Sequence, residues 1–582
     1  MSFFFGKGSM TDMGERYPLL DRHHESNIPG LYVIGNIAGT PDVKAALNAG
    51  FDTARHIADM VLRRTAATDI RVVIIGAGPA GVNAALELGK RGVRYVLIEA
   101  ESRFAAIKRF EPEHAFYLAR TGDRDICGDL WFGDCKAGEL VRRWEDDLKS
   151  RSLELREHEK VVDVKKIDHF EVVTDKGRYR SEFVIVAVGK LVLLNRLDVA
   201  ELQPIPPGKV SRSMVEGTGM PSEFLKKAGI RLENTWDWKR WTALSLTAIG
   251  VFAFYMIKKL HPGWFHFGGR DLAGWYPFLY SALVLYFGIK AIRRYRDPLQ
   301  TRKYLSLIFF QLAFYSIIPE LILNNWRAYG LVYAWPLALG PSTWEGFLQE
   351  PGKFYFWWTL GMSFLVLPIF VLFTGKQYCS WVCGCGGLAE TVGDQWRHYS
   401  PKGPENVRRE RAIYWILGFA AFATLAVGFG IDARMGGWIK GTYNWVVDLF
   451  LIAIIPISLY PFLGGKVWCR YWCPTAGFMQ LLSGWMTRRG IGKYRIDSNK
   501  DRCIACNMCS RCCEVGIDVR KFALKGESFD NLSTSCIGCG ICISVCPTGA
   551  LAFSLSALGG KATAGIRATW VDQFPKGASF DV

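Results

Sequence analysis

The stretch RCIACNMCSRCCEVG, residues 502–516, places five cysteines within eleven positions. Four of them follow the spacing C-x2-C-x2-C-x3-C: Cys503, Cys506, Cys509 and Cys513. The same spacing returns further along the chain: Cys536, Cys539, Cys542 and Cys546. Three close thiolates at this spacing hold one 4Fe–4S cluster, and the fourth crosses to a second cluster. Two zinc sites would instead use paired CxxC units without the remote fourth cysteine. The doubled spacing therefore predicts two 4Fe–4S clusters.

Residues 500–555, including the ending CPTGAL (546–551), resemble bacterial two-cluster ferredoxins. The resemblance implies an α+β ferredoxin-like fold with two ligand sets. One set is Cys503, Cys506, Cys509 and Cys546; the other is Cys536, Cys539, Cys542 and Cys513. The adjacent Cys512 is then the additional thiol. The proline that usually follows the fourth cysteine is Glu514 in the first run, so both Cys512 and Cys513 stay open as the ligand.

Two further cysteine motifs follow apolar segments: KQYCSWVCGCGG (376–387) and KVWCRYWCPTAG (466–477). They align at an offset of 90 residues, which indicates an internal duplication of an apolar span plus a CxxxC motif. Thiols at i and i+4 share one face if the stretch is helical. The four thiols Cys379, Cys383, Cys469 and Cys473 could together hold a third cluster or another metal. The alternative is that they are structural cysteines at a helix–helix contact.

The segment 240–490 resembles the polyferredoxin membrane proteins associated with periplasmic nitrate and nitrous-oxide reductases. It is also similar to the iron–sulfur protein that assists cytochrome oxidase maturation. In those families such motifs precede a ferredoxin tail, as they do here. The first motif departs from the pattern, because Gly384 replaces the expected proline and Cys385 is additional.

Six apolar segments approach the roughly 20 residues that cross a bilayer core. They are 241–257, 276–292, 304–323, 354–374, 412–431 and 445–464. The sequence therefore predicts an all-α six-helix transmembrane bundle, and the 21 Trp suit its interfaces. The loops RRYRDPLQTRK (293–303) and KGPENVRRER (402–411) are basic and should lie in the cytoplasm. We therefore expect a multi-pass protein of the bacterial inner (cytoplasmic) membrane, with its soluble domains on the cytoplasmic side.

The segment RVVIIGAGPAGVNAALELGKRGVRYVLIEAE (71–101) predicts a strand, a glycine-rich turn, a helix and a second strand. Gly76, Gly78 and Gly81 form GxGxxG, which lets a pyrophosphate approach the helix N-terminus. Glu99 ends the second strand and can bind ribose hydroxyls. This combination predicts a dinucleotide site in a Rossmann-like α/β head.

The segment 29–58 resembles the closing FAD segment of the thioredoxin reductase family, in which a Gly-Asp pair meets the flavin ribityl chain. Here the pair is Gly35-Asn36, and the amide can still hydrogen-bond a hydroxyl. In that family this segment comes last, and residues 220–234 resemble the part just upstream of it. The resemblance therefore implies a permuted FAD domain whose second nucleotide domain is missing or unrecognisable. Cys127 and Cys135 are too far apart for a CxxC redox pair, which argues against disulfide reductase activity.

The 582 residues are thus expected to form several domains. The predicted boundaries are 1–235 for the FAD head, 236–490 for the transmembrane bundle, 491–555 for the ferredoxin-like domain and 556–582 for a C-terminal tail. The net charge of +17 could indicate nucleic-acid binding, but Lys and Arg flank apolar segments and are better interpreted as topology signals. We expect no nucleic acid partner.

These features predict a membrane-bound oxidoreductase that passes electrons between FAD and 4Fe–4S clusters, to or from a quinone or a redox-protein partner. NAD(P)H is a possible donor. One alternative is an assembly or maturation factor that reduces or delivers metal. Another is an electron-transfer subunit of a larger respiratory or photosynthetic complex.

Overall fold

The structure, a computed structural model, describes most of the chain in two compact units. The described residues are 16–40, 42–62, 68–118, 125–189, 221–233, 235–261, 264, 266–270, 272–322, 335–336, 357–358, 360–428 and 433–554. One unit comprises the described part of 15–235 together with 502–506. The other comprises the described part of 236–501 and of 507–566.

The first unit, the head, is built on a parallel five-stranded sheet. In spatial order its strands are Leu31–Val33, Phe183–Val186, Val72–Ile75, Tyr95–Ile98 and Leu155–Arg156. The inner strands are continuous apolar runs such as VVII and YVLI, and every residue in them is buried. Such runs are typical of a parallel sheet that is covered on both faces. The predicted α/β head is confirmed.

The amino-terminal segment completes this sheet, although it precedes the glycine-rich strand in sequence. Leu31–Val33 pairs in parallel with Phe183–Val186 at the sheet edge. The helix Val43–Val61 begins after Asp42, whose carboxylate accepts a hydrogen bond from the backbone N–H of Ala45 at 2.8 Å. This helix packs against the helix Pro79–Lys90. The amino-terminal strand therefore joins the same parallel sheet despite its position before the glycine-rich strand.

Residues 221–233 lie beside the start of the same segment. The backbone N–H of Leu19 donates to the Arg231 carbonyl at 2.9 Å, and that of Glu233 donates to the Tyr17 carbonyl at 2.7 Å. The Asn27 side chain adds a hydrogen bond to the Gly229 carbonyl at 3.0 Å. The upstream part of the closing segment is thus supplied from a distant stretch of chain, as the resemblance implied.

The rest of the head surrounds the sheet. A three-stranded antiparallel sheet contains Val161–Lys166, Phe170–Thr174 and Arg178–Ser181. A short hairpin pairs Ala115–Phe116 with Cys135–Lys136. Further helices are Gly35–Ala38, Ala105–Lys108, Ala137–Lys149 and Ser222–Lys227.

The second unit contains five described helices that are long and apolar enough to cross a membrane. They are Trp238–Leu260, Gly274–Tyr295, Pro298–Ile322, Met362–Trp381 and Gly437–Leu463. They correspond to five of the six predicted segments. The predicted segment 412–431 contains the helix Ala412–Gly428, which is 17 residues long. Residues 429–432 lie outside the described part of the chain, so the sixth span remains a prediction.

Shorter elements follow the apolar helices and lead to the predicted ferredoxin-like domain, residues 491–555. This domain is called the tail below; its first cysteine run is Cys503–Cys513 and its second is Cys536–Cys546. The helices are Gly375–Gln377, Tyr378–Trp381, Gly384–Thr391, Val392–Tyr399, Pro404–Arg409, Val467–Tyr471, Pro474–Arg488, Met508–Arg511, Val519–Lys525 and Ile541–Ser544. The strands Ile496–Ser498 and Leu551–Phe553 pair antiparallel and bring the two ends of the tail together.

A buried carboxylate, Glu390, joins separate parts of this unit. Its oxygens lie 2.9 Å from Lys303 Nζ, 3.0 Å from Arg397 Nη2 and 3.1 Å from Lys466 Nζ. Burial alone would raise the pKa of Glu390, but the three cations outweigh it and hold the pKa well below its usual range. The ion group therefore binds the basic loop region, the first cysteine motif and the second cysteine motif to one another.

We expect Glu390→Gln to destabilise the helical unit by about 3–5 kcal/mol, because three buried cations would lose their common partner. The measurement is the thermal unfolding of the full chain in detergent, followed by far-UV circular dichroism. Glu527→Gln is the matched control, since Glu527 makes only an exposed ion pair with Lys525 at 3.8 Å. Equal melting of the two variants would contradict the role given to Glu390.

A second prediction concerns the contact between two head helices. A Cβ at Gly50 would strike the backbone carbonyl of Ala80, which cannot yield as a flexible side chain would. We expect Gly50→Ala to destabilise the head by about 1–3 kcal/mol. Gly89→Ala is the control, because its Cβ would meet Tyr95 at an ordinary 3.5 Å and the helix would gain stability. Pulse proteolysis of the head in the full chain measures both effects, and an unchanged Gly50→Ala head would contradict the prediction.

Candidate functional site

In the glycine-rich turn of the head, a side chain would find open space at one glycine and would strike the backbone at the other two. At Gly81, a Cβ would strike the Gly76 carbonyl, and Gly76 itself has φ +107° and lies against the Ala187 carbonyl. A Cβ at Gly78 would meet nothing within 4 Å. Gly78 directly precedes the helix Pro79–Lys90, so the open space faces a helix N-terminus. This is the cradle that a dinucleotide pyrophosphate requires.

Glu99 lies beside this turn at the end of the strand Tyr95–Ile98. Its carboxylate is buried and accepts hydrogen bonds from the backbone N–H of Ala77 at 2.7 Å and of Glu101 at 2.9 Å. Each oxygen keeps a second lone pair for a further donor. The sequence prediction for Glu99 as a ribose acceptor therefore fits the geometry.

The Gly35-Asn36 pair lies at the end of the strand Leu31–Val33. Gly35 has φ +76°, and a Cβ there would contact Ala80 near the start of the helix Pro79–Lys90. The Asn36 side chain is exposed. Just beyond it, the buried Thr40 hydroxyl has no hydrogen-bond partner within the described residues. This unpaired buried hydroxyl, in the segment that follows Gly35-Asn36, is available to hydrogen-bond a bound flavin nucleotide.

In the second unit, the two CxxxC motifs have the same backbone. In each, a short helix ends after the first cysteine, and the second cysteine is extended. The N–H of Cys383 donates to the Tyr378 carbonyl at 2.9 Å, and the N–H of Cys473 donates to the Trp468 carbonyl at 2.9 Å. The expectation that a helical CxxxC puts both thiols on one helix face is wrong here. The helix breaks between the two cysteines, because the backbone leaves the helical region at Val382 and at Trp472.

Replacement of the proline in the first motif does not change this turn. Gly384 begins the helix Gly384–Thr391, as Pro474 begins the helix Pro474–Arg488. The N–H of Gly387 bonds to the Cys383 carbonyl at 2.8 Å, and the N–H of Gly477 bonds to the Cys473 carbonyl at 3.0 Å. The two motifs therefore present their cysteines in equivalent ways.

The four thiols of these motifs form one buried group. Burial raises the pKa of Cys473, and three neighbouring thiols raise it further: Cys469, Cys379 and Cys383. Burial also raises the pKa of Cys469 to about 11, although Lys466 opposes the shift. Buried thiols resist ionisation in this way until a metal centre takes the thiolates as ligands.

Cys385 is the fifth thiol of the same group. A hydrogen bond to Cys385 lowers the pKa of Cys383 to about 7, and Cys385 also lies near Cys473 and Cys469. Within the described ranges, no set of three or more His, Cys, Asp or Glu side chains is arranged around a single ion. A 4Fe–4S cluster spreads its ligands more widely than one ion does, so the buried thiol group suits a cluster better.

The tail repeats one backbone pattern in its two cysteine runs. Three left-handed positions of the first run recur 33 residues later, in the pairs Ala505 and Gly538, Asn507 and Gly540, Gly516 and Gly549. The Cys513 sulfur accepts a hydrogen bond from the N–H of Ile517 at 3.4 Å. The equivalent Cys546 sulfur accepts one from the N–H of Ala550 at 3.2 Å. Cys513 therefore occupies the position that corresponds to Cys546.

The thiols of the second run gather with Cys513 rather than with Cys512. Burial raises the pKa of Cys542, and four thiols raise it further: Cys536, Cys539, Cys513 and Cys509. Burial also raises the pKa of Cys512, whose charged neighbours are cations. Its counterpart in the second run is Val545, an apolar core residue. Cys512 thus has the position of a core side chain.

Two further cysteines of the first run, Cys503 and Cys506, are half-buried.

The tail is hydrogen-bonded to residues around the two CxxxC motifs. The Lys402 ammonium donates to the Cys513 carbonyl at 2.6 Å, and Gln300 donates to the Cys539 carbonyl at 3.1 Å. The Ser400 hydroxyl donates to the Glu514 carbonyl. Sequence reasoning missed these residues. Gln300 and Lys402 lie in the two basic loops of the sequence. The positive charge of these loops was used only to predict the side of the membrane on which they lie.

Three family comparisons match separate parts of the chain. Residues 73–203 match the pyridine nucleotide-disulphide oxidoreductase family. Residues 533–552 match a 4Fe-4S binding domain family, and residues 356–400 and 445–493 match another family of that description. The last two ranges contain the two halves of the predicted duplication.

Two curated relatives match portions of the chain. A ferredoxin–NADP reductase of Staphylococcus saprophyticus is 32% identical over 136 residues, which is 23% of this chain and 37% of the relative. The electron transport protein YccM of Escherichia coli is 25% identical over 181 residues, which is 28% of this chain and 46% of the relative. The chain thus spans less than half the length of these relatives.

Among solved structures, the bacillithiol disulfide reductase of Staphylococcus aureus matches with a TM-score of 0.18 and 24% identity, covering 21% of this chain and 38% of that one. A thioredoxin reductase of T. acidophilum matches with a TM-score of 0.17 and 24% identity, covering 20% of this chain and 34% of that one.

Taken with the geometry, the family matches establish the composition of the chain. It is a fusion of an FAD-type oxidoreductase head, a region of apolar helices and 4Fe–4S domains. The chain therefore combines a part similar to an oxidoreductase family with parts similar to 4Fe-4S binding domains, which supports FAD and 4Fe–4S clusters as its cofactors.

Proposed function

We propose that this protein is a membrane-bound oxidoreductase that passes electrons between FAD in its head and a series of 4Fe–4S clusters, to or from a quinone or a redox-protein partner. FAD can exchange two electrons at once, whereas a 4Fe–4S cluster exchanges one. The combination therefore links a two-electron reaction to one-electron transfers. The observation that carries the proposal is the attachment of the tail to the helical region around the CxxxC motifs. Lys402 and Gln300 bond directly to the backbone of Cys513 and Cys539.

The residues of the head would hold and orient FAD. Gly78 leaves room for the pyrophosphate, and Glu99 accepts hydrogen bonds from ribose hydroxyls. Gly76 and Gly81 keep the turn close enough for this approach. Gly35 and Asn36 would contact the ribityl chain.

We propose three ligand sets for the clusters. The first comprises Cys503, Cys506, Cys509 and Cys546, and the second comprises Cys536, Cys539, Cys542 and Cys513. The third comprises the membrane-exit cysteines Cys379, Cys383, Cys469 and Cys473, with Cys385 in reserve. The four buried thiols of the third set share one environment, which supports this assignment.

The chain would cross the membrane several times, with both cysteine motifs on one side. Gln300 lies within the basic stretch 293–303, in the first turn of the helix Pro298–Gln311, and bonds to the tail, so this stretch and the tail share one side. Basic loops favour the cytoplasm. We therefore propose the bacterial inner membrane, with the clusters at its cytoplasmic surface.

The donor is proposed to be NAD(P)H or a reduced redox protein. Similarity to a ferredoxin–NADP reductase supports both, since that name couples a ferredoxin with NADP. Within the described residues the head has one parallel sheet with one glycine-rich turn, which favours a redox protein as the donor.

We expect Cys513→Ser to remove one cluster of the tail, because Cys513 lies with the thiols of the second run. We expect Cys512→Ser to keep both clusters, because Cys512 has the position of Val545. Iron content and electron paramagnetic resonance (EPR) of anaerobically purified full chain measure the outcome. The opposite result would assign Cys512 as the ligand.

The proposed electron path can be tested without knowing the natural donor. Illumination with EDTA reduces the bound flavin of the purified chain, and we expect the cluster signals in EPR to follow. Gly78→Val is the matched variant, because its side chain would enter open space and exclude the pyrophosphate without disturbing packing. It should keep its iron, lose its flavin and show no light-driven cluster reduction. Flavin bleaching with clusters that stay oxidised, yet accept electrons from dithionite, would contradict the proposal.

A further inference from the structure

Trp381 lies in the middle of the first CxxxC motif and reaches the tail. Its indole Nε1 donates a hydrogen bond to the Gly538 carbonyl at 3.1 Å. Gly538 lies between Cys536 and Cys539 of the second run. One hydrogen bond therefore connects the loop between Cys379 and Cys383 with the loop between two cysteines of the tail.

The tail loop is held in place on both sides of this contact. The Lys376 ammonium donates to the Ser535 carbonyl at 3.5 Å, and the Asn531 amide donates to the Cys536 carbonyl at 2.5 Å. Gly538 has φ +60°, and a Cβ there would strike the Gln377 side chain. The glycine thus lets the carbonyl approach Trp381 closely.

The duplicated motif has a different aromatic residue at this position. Tyr471 stands at the position of Trp381, at the offset of 90 residues. It is buried in an apolar cluster with Leu244, Leu459 and Phe462.

We propose that Trp381 couples the membrane-exit cysteines to the tail cluster held by Cys536, Cys539, Cys542 and Cys513, and so fixes the order of the clusters. The path would then run from the set with Cys503 to the second run and on to the exit cysteines. Each transfer moves one electron, so that one centre is oxidised as the next is reduced. No bond of Trp381 forms or breaks. This inference rests on the proposed function.

The first test replaces the indole by a ring without a donor. In Trp381→Phe we expect iron and flavin contents equal to wild type. After light-driven flavin reduction, electron arrival at the exit cysteines should slow by on the order of tenfold, because transfer depends on close geometry. Freeze-quench EPR measures that rate. Trp485→Phe is the control, since Trp485 is an exposed indole on the helix Pro474–Arg488.

A second measurement does not depend on the folding of Trp381→Phe. In the fully reduced chain, the spin interaction seen in the signal of the exit cysteines should vanish in Cys542→Ser and persist in Cys503→Ser. The reverse pattern would overturn the order, and a wild-type rate in Trp381→Phe would overturn the role of the indole. Failure of the flavin to reduce any cluster would instead overturn the proposed function, so the failures are distinguishable.

Discussion

A buried carboxylate must find opposite charge, because the cost of removing it from water is several kcal/mol. Glu390 meets this requirement with cations from three parts of the chain: Lys303, Arg397 and Lys466. Each cation balances part of the charge of Glu390, and Arg397 also forms an ion pair with Asp394 at 2.9 Å. The ion group therefore connects the two CxxxC motifs to each other. Arg397 also approaches Glu514, next to Cys513, at 3.5 Å, so the same constraint extends to the tail.

The positions of the thiols follow from this constraint. The Lys466 ammonium, besides its ion pair, donates to the carbonyls of Cys379 and Gly386 at 3.3 and 3.4 Å. A residue of the second motif thus holds the backbone of the first. Thiols that are fixed in this way need little reorganisation to accept a cluster, and a site of this kind can change oxidation state with little movement of its ligands.

The spacing of residues within short motifs was enough to predict which cofactors the chain would bind. It could not predict contacts between residues that are far apart in the sequence. The glycines of the turn, Glu99 and the cysteine runs could be proposed from the sequence, because the ligands predicted for them require fixed spacings. Lys402, Gln300 and Trp381 could not, since each acts on a backbone group more than a hundred residues away. The sequence also did not predict the turn between Cys379 and Cys383, because a segment this short does not show whether a helix continues through it.

The duplication shows how one backbone can come to serve two tasks. Lys376 and Lys466 hold equivalent positions before equivalent turns. Lys466 binds Glu390 and the first motif, whereas the Lys376 ammonium bonds to the tail at Ser535. Their different partners follow from what surrounds each copy. Trp381 of the first copy bonds to the tail at Gly538, whereas Arg470 of the second copy lies against Gly516. The two motifs therefore share one backbone and make different contacts.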